Sequence, residues 1–232
     1  MKAMILAAGR GVRMRPLSYT TPKPLLVAGG KPLIVWHLQR LADAGFQDII
    51  INHSHLGGQI EAALGDGKKF GVRIAYSPEQ EALETAGGIA HALPLLGGGP
   101  FLVVNGDVYC ELDFKTLLPR RKQMLEHPNA GSAHLVLVDN PAHHSQGDFV
   151  LAGEKLVLSG ATKLTFCGIG IYQPALFARV PRGGKMQLAA LLQAQIEAGQ
   201  VSARHYHGVW RDVGTPARLR ELDEWLNSKR DG

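Results

Sequence analysis

The chain has no aspartate or glutamate before Asp43, although 20 of its 232 residues are acidic. That gap excludes the dinucleotide fingerprint, which needs G-x-G-x-x-G/A and an acid about 20 residues later. Here Gly9 and Gly11 are followed by Met14, and the first acid comes much too late. A Walker loop is missing too, since no Gly is followed four residues on by Gly-Lys-Ser/Thr. Cysteine is scarce. Cys110 and Cys167 have neither metal-type spacing nor a short-range partner, which fits a reducing compartment. No apolar stretch approaches the ~20 residues that span a bilayer. The N-terminus has one lysine and an apolar run of about six residues, too short for a signal peptide, so a cytoplasmic protein is expected. No basic helix face interleaved with aromatics is present, which argues against nucleic acid as a partner.

What the N-terminal region does contain is positive charge and glycine. Ala3–Ala8 reads as a first β-strand, and Ala8, Gly9 and Gly11 follow as its exit loop. Arg10, Arg13, Arg15 and Lys23 crowd the same segment. Glycine lets backbone N–H groups approach phosphate oxygens without a Cβ in the way. Arginine and lysine neutralise a ligand carrying several negative charges. The net charge of +5 is otherwise spread along the chain, so the loop suits a small polyphosphate. Arg10 and Arg15 read as solvated loop cations.

Periodicity gives an alternating first half. Helices are expected over 32–44, 56–64, 85–96 and 114–126, with strands over 48–52, 72–76 and 101–104. The second half reads mostly as strands, over 133–138, 149–151, 155–158, 164–172, 201–206 and 209–213. Helices are expected over 186–198 and 216–227. The βαβα order implies a doubly wound α/β sheet. One domain is expected over 1–232, with a parallel nucleotide-binding half (1–130) and a more antiparallel half (131–232) sharing a sheet. Glu154-Lys155 falls in an expected hairpin. Trp36, Trp210 and Trp225 read as packing residues.

The run Leu6-Ala-Ala-Gly-Arg-Gly-Val-Arg-Met-Arg-Pro-Leu17, with Pro22-Lys-Pro-Leu25 after it, resembles the nucleotidyltransferases that make nucleotide sugars from sugar 1-phosphates and NTPs. The likeness extends over essentially the whole chain. Glu84-Thr-Ala-Gly-Gly88 is similar to the family's second glycine turn, Val104-Asn-Gly-Asp107 to its metal-binding aspartate segment, and Gln146-Gly147 to its sugar-contacting glycine. Cys167–Tyr172 resembles the strand under the sugar, and Trp210–Pro216 the C-terminal metal-binding turn. The resemblance implies a Rossmann-like, GT-A-type fold with a mixed, mainly parallel sheet flanked by helices. It implies Mg²⁺ as cofactor, with Asp107 and Asp212 as metal ligands and Arg13 and Lys23 as catalytic cations. It implies Ala8, Gly9, Gly11, Arg13, Lys23, Glu79 and Gly88 on the nucleotide, and Asn105, Gly147, Asp148 and Gly168 on the sugar phosphate. From the residues alone, Glu79 also fits an exposed loop acid and Asp148 a surface strand position. Two departures stand out: Val12 replaces the usual Thr or Ser, and no Glu-Lys-Pro segment occurs between Gly147 and Gly168.

Within the family, the compact length and the Asn105–Val108 and Gly208–Asp212 segments resemble most the uridylyltransferases of N-acetylmuramate 1-phosphate, which serve cell-wall recycling. UTP and that sugar phosphate are therefore the expected substrates, with Lys163 a candidate for the lactyl carboxylate. The alternatives are mannose 1-phosphate with GTP, or glucose 1-phosphate with dTTP or UTP. A non-catalytic, sugar-nucleotide-sensing subunit would have lost Arg13, Lys23 or an aspartate, and all are retained. A cytidylyltransferase of phosphocholine-like alcohols would need an aromatic cage, and only 6% of residues are aromatic. A monomer is expected. The pairs His53/His55 and His205/His207, each i, i+2, share a strand face, but no third ligand or nearby acid is evident for either. His143-His144 reads as surface.

Overall fold

The computed structural model describes residues 1–127, 129–160 and 162–229. Lys2–Leu6 forms β1, Val27–Ala28 and Lys31–Pro32 a small hairpin (β2, β3), and Leu33–Asp43 the helix α1. Asp48–His53 (β4), Gly57–Leu64 (α2), Arg73–Pro78 (β5), Glu84–Leu96 (α3), Phe101–Asn105 (β6), Val108–Cys110 (β7) and Leu118–Glu126 (α4) complete the first half. Then come Ala133–Val138 (β8), Phe149–Ala152 (β9), Lys155–Val157 (β10), Lys163–Tyr172 (β11), Leu188–Glu197 (α5), Val201–His205 (β12), Trp210–Asp212 (β13) and Pro216–Ser228 (α6).

Nine strands form one sheet in the order β5-β4-β1-β6-β11-β8-β12-β10-β9. The first four are mutually parallel, as is the β8–β12 pair; β11 runs antiparallel to β6 and β8, and the β9–β10 edge is antiparallel. The expected mixed α/β sheet, parallel first and more antiparallel later, is thus present. Alternate strand residues face opposite layers, because the side-chain period of a strand is two. Ala3 and Ile5 pack with Leu38, Leu41 and Ile60 of α1 and α2. Met4 and Val103 pack on the other face with Ile89, Leu192 and Ile196 of α3 and α5. Burial on both faces explains why Ile49-Ile50-Ile51 carries no alternation.

A third cluster holds the site together from below. α6 lays Leu219, Leu222 and Leu226 against Leu26, Leu33, Tyr109, Val213 and Met14 of the loop after β1. Thr215 caps α6 by accepting from the Arg218 backbone N–H, and Pro216 begins the helix where a missing N–H costs nothing. The expected helix over 114–126 opens instead as a 3₁₀ turn, Phe114–Leu117, and becomes α-helical just ahead of Pro119. The helix expected from Met186 starts at Leu188, because the Met186 backbone bonds to Leu83 and Ala86 of another segment. Expected hairpin residues Glu154-Lys155 do join β9 to β10. Among the described residues no helix is long and apolar enough to cross a membrane.

Candidate active site

The loop after β1 is pinned at both ends. Ala7 N–H donates to Asn52 Oδ1 at 3.0 Å, and the Ser18 hydroxyl donates to Gly11 O at 2.7 Å. Gly11 sits at φ 60°, ψ 36°, left-handed backbone that favours glycine. The following 3₁₀ turn buries Met14 completely and leaves the neighbouring Arg13 exposed over the cleft. Rigid backbone and a free guanidinium therefore come from adjacent residues.

Lys23 is 7% exposed, an unusual position for lysine. Its Nζ donates to Asp107 Oδ2 at 2.6 Å. Asp107 and Asp212 meet because β7 and β13 pair antiparallel, with Asp212 opposite Val108, and Val213 N–H donates to Asp107 O at 3.0 Å. Arg218 Nη1 donates to Asp212 Oδ2 at 2.6 Å and lies 2.6 Å from His143 Nε2. Arginine supplies a proton to each, which makes His143 Nε2 an acceptor there. Each aspartate thus has one partner cation.

Two clefts meet at this point. The first, of about 470 Å³, is lined by Ala8, Gly9, Gly11, Arg13, Lys23 and Glu79, among others. The second, of about 330 Å³, is lined by Asp148, Gly168, Trp210, Asp212, His143 and His144. Arg13, Asn105 and Asp107 line both. A side recess of about 320 Å³ opens beside them, lined by Phe149, Phe166, Leu188 and Leu192 together with Asn105 and Asp148. Gly168, at φ +81°, sits in the bulge where the β11–β8 register shifts, and a Cβ there would fall 2.6 Å from Asn105 Nδ2. Room for Asn105 is what that glycine provides.

Several expected positions fall elsewhere. Gly88 lines no cleft described here; it packs behind Glu79 and Asn52. Glu79 lines the first cleft, yet it is no exposed acid: at 6% exposure it accepts from Asn52 Nδ2 (2.6 Å) and Leu83 N–H (2.9 Å). Its carboxylate fixes Asn52, which in turn fixes Ala7. Gly147 stands one residue outside the second cleft, against Asn140 and Lys163. Asp148 lines the cleft, with its oxygens near His144 Nε2 (3.0 Å) and on Phe166 N–H (2.8 Å). Lys163 lines none of the clefts. The imidazoles of His143 and His144, expected at the surface, stand on that side instead; nothing in their local pattern foretells that the 139–148 loop folds onto Asp212. Arg10 lines the first cleft, while Arg15 lies over the Tyr19 ring. Trp36 and Trp225 pack edge-on against Tyr109, and Trp210 both lines the second cleft and donates to Cys167 O at 2.9 Å.

Both histidine pairs have the acid they lacked in sequence. His53 Nε2 is 2.7 Å from Glu61, and His205 Nε2 is 2.9 Å from Asp139. Burial lowers His37 and His134 to about 4 and pushes the Cys110 thiol up to about 11 and that of Cys167 well above its usual range. Neither thiol is a nucleophile at neutral pH.

A strand-exit loop rich in cations, facing two carboxylates held on a separate ribbon, defines a nucleotidyl-transfer architecture. Residues 2–148 match the family described as nucleotidyl transferase, and the chain belongs to that family of enzymes. It is 56% identical over 225 residues to N-acetylmuramate alpha-1-phosphate uridylyltransferase of Neisseria meningitidis, covering 95% of this chain and 96% of that one. It is 30% identical to the catalytic subunit beta of mannose-1-phosphate guanylyltransferase of Xenopus tropicalis, covering 93% of this chain and 62% of that longer one. Among solved structures, one from Bacillus anthracis described as a glucose-1-phosphate thymidylyltransferase, in complex with sucrose, superposes with a TM-score of 0.85 at 21% identity. It covers 97% of this chain and 95% of that one. HddC from Yersinia pseudotuberculosis superposes at 0.76 and 23% identity, covering 97% and 99%.

Proposed function

We propose that this enzyme transfers a uridylyl group from UTP to N-acetylmuramate 1-phosphate and releases pyrophosphate. The observation that carries the reading is the meeting of Arg13, Lys23, Asp107 and Asp212 where the two clefts join. The choice of substrates is supported by the 56% identical relative. It is also supported by the side recess, whose phenylalanine and leucine walls suit the methyl of an N-acyl sugar better than a plain hexose hydroxyl.

In this reaction an acceptor phosphate oxygen attacks the α-phosphorus of UTP, and the bond to the bridging oxygen of the β-phosphate breaks. Two anions must be brought together, so the barrier is largely repulsion and positioning. A phosphate dianion is already nucleophilic, so no general base is required of the chain. Ala8, Gly9 and Gly11 let the triphosphate approach the backbone. Arg13 faces the β- and γ-phosphates and stabilises charge gathering on the leaving pyrophosphate. Lys23 turns from Asp107 to the α-phosphate or the incoming phosphate. Asn105, Asp148 and Gly168 border the acceptor, while Glu79, Gly88 and Gly147 support the walls from outside direct contact.

Asp107 and Asp212 both line the second cleft and offer hard carboxylate oxygens there, a donor set that fits Mg²⁺ together with phosphate oxygens. When bound, the ion supplies neutralisation of phosphate charge. The same reading makes the protein one domain over 1–232, monomeric and cytoplasmic, acting in peptidoglycan recycling.

The test is pyrophosphate release, crossing the common NTPs with sugar 1-phosphates. Release confined to UTP and N-acetylmuramate 1-phosphate is the expected result. Release with GTP and mannose 1-phosphate instead would overturn the substrates and keep the chemistry.

A further inference from the structure

Away from both clefts, the parallel β8–β12 pair brings a second set of donors together. His205 stands opposite Leu137 in that ladder, so Asp139 and His207 leave the sheet at the same end. One donor atom from each of Asp139, His205 and His207 lies within 4.8 Å of the other two. Asp139 Oδ1 is 2.9 Å from His205 Nε2, and Oδ2 is 3.9 Å from His207 Nδ1. The imidazole centroids are 3.9 Å apart. The carboxylate lies off the line of a hydrogen bond, so the buried His205 Nε2 has no hydrogen-bond partner among the described residues. A simple histidine–carboxylate pair would align that bond. Three donors converging on a common point, one of them buried and unsatisfied, instead describe a place for a small cation.

We infer that Asp139, His205 and His207 form a metal site of their own, for a borderline divalent ion such as Zn²⁺ or Co²⁺. Two imidazoles with one carboxylate favour such ions over Mg²⁺, which prefers oxygen. With metal–ligand distances of about 2.0–2.2 Å, tetrahedral donors lie roughly 3.3–3.5 Å apart, inside the span seen here. Asp139 and His207 are exposed, so their side chains turn the remaining distance freely. Three protein ligands leave a fourth position for water. Asp139 begins the loop that carries His143, His144 and Asp148, and His207 precedes β13, which carries Asp212. An ion here ties those two segments together as a staple on the outside of the second cleft.

The experiment is titration of the untagged, chelator-treated full chain with Co²⁺, read by visible absorption, beside calorimetry with Zn²⁺. The expected result is a single Co²⁺ equivalent with the intense bands of tetrahedral coordination. Affinity falls more than ~10-fold in His207→Ala and Asp139→Asn, both exposed and safe to fold, and in His205→Ala. Binding survives in the Asp107→Asn/Asp212→Asn double variant. Unchanged binding in His207→Ala and Asp139→Asn, absence of the bands in the wild type, or loss of binding in the double variant would each overturn the assignment.

Discussion

Lys23 Nζ and Asp107 Oδ2 lie 2.6 Å apart although 84 positions separate them in the chain. The pair joins the segment after β1 to the ribbon of β7 and β13. Replacing either residue by alanine is expected to lower kcat by roughly 10²–10³-fold, the range for loss of one positioned electrostatic group. The double replacement should cost much less than the product, because partners acting as a unit are not additive. Steady-state kinetics on the four proteins of the cycle check this; strictly multiplicative losses would separate the two roles.

Arg13 is exposed, with no ion-pair partner among the described residues. Arg13→Ala should therefore lower kcat by roughly 10²–10³-fold while unfolding free energy stays within about 0.5 kcal/mol. Activity within a few-fold of wild type would remove Arg13 from the leaving-group role.

Glu79 predicts the opposite balance. Glu79→Ala orphans Asn52 Nδ2 and Leu83 N–H in the interior, a cost of about 1–3 kcal/mol. Denaturant unfolding should register that loss, and KM for UTP should rise because Asn52 no longer holds Ala7.

Stability should fall in mild acid. His37 and His134 titrate near 4 in the fold against 6.5 when free, so the unfolded chain binds protons first. Their contribution is complete above pH ~6.5 and is lost as pH falls through ~4, at about 1.4 kcal/mol for each pKa unit. His37→Gln, which can still donate to Val108 O, should flatten the dependence of melting temperature on pH in that window.

The side recess makes a specificity prediction. Ala189 is exposed and lines it. Ala189→Phe fills the space and should raise KM for N-acyl sugar phosphates about 10-fold, the scale of a pocket that no longer fits, with KM for UTP unchanged. An equal rise for both substrates would mean that the recess does not hold the acyl group.

Much of this architecture was legible in the chain. The strand-loop at Ala3–Gly11, the buried triple isoleucine and the Pro216 helix start are local signals, and they formed as read. Arg13, Lys23 and Asp107 stand in continuous motifs, and all three line the first cleft. What stayed hidden depends on distant partners. β7 is three residues long and exists because β13 pairs with it. Glu79 was ambiguous because its burial depends on Asn52, a residue of β4. His143 and His144 sit in a polar, proline-flanked loop that looks like any surface turn until Arg218 draws it toward Asp212. Asp139 lies 66 and 68 positions before the two histidines it faces, and no spacing rule covers such a separation.

The strand β6 is a seam, with β1 parallel on one side and β11 antiparallel on the other, and Asn105 at its end borders both clefts and the side recess. On the proposed reading, donor and acceptor are consequently met by separable parts of one chain. A designer, or a lineage under selection, could then reshape the walls contributed by His143, Asp148, Phe166 and α5 to retarget the acceptor while leaving the loop after β1 as it is. Asn105 is common ground, as Arg13 and Asp107 are for the two clefts, and on the proposed reading a change there is felt by both substrates at once.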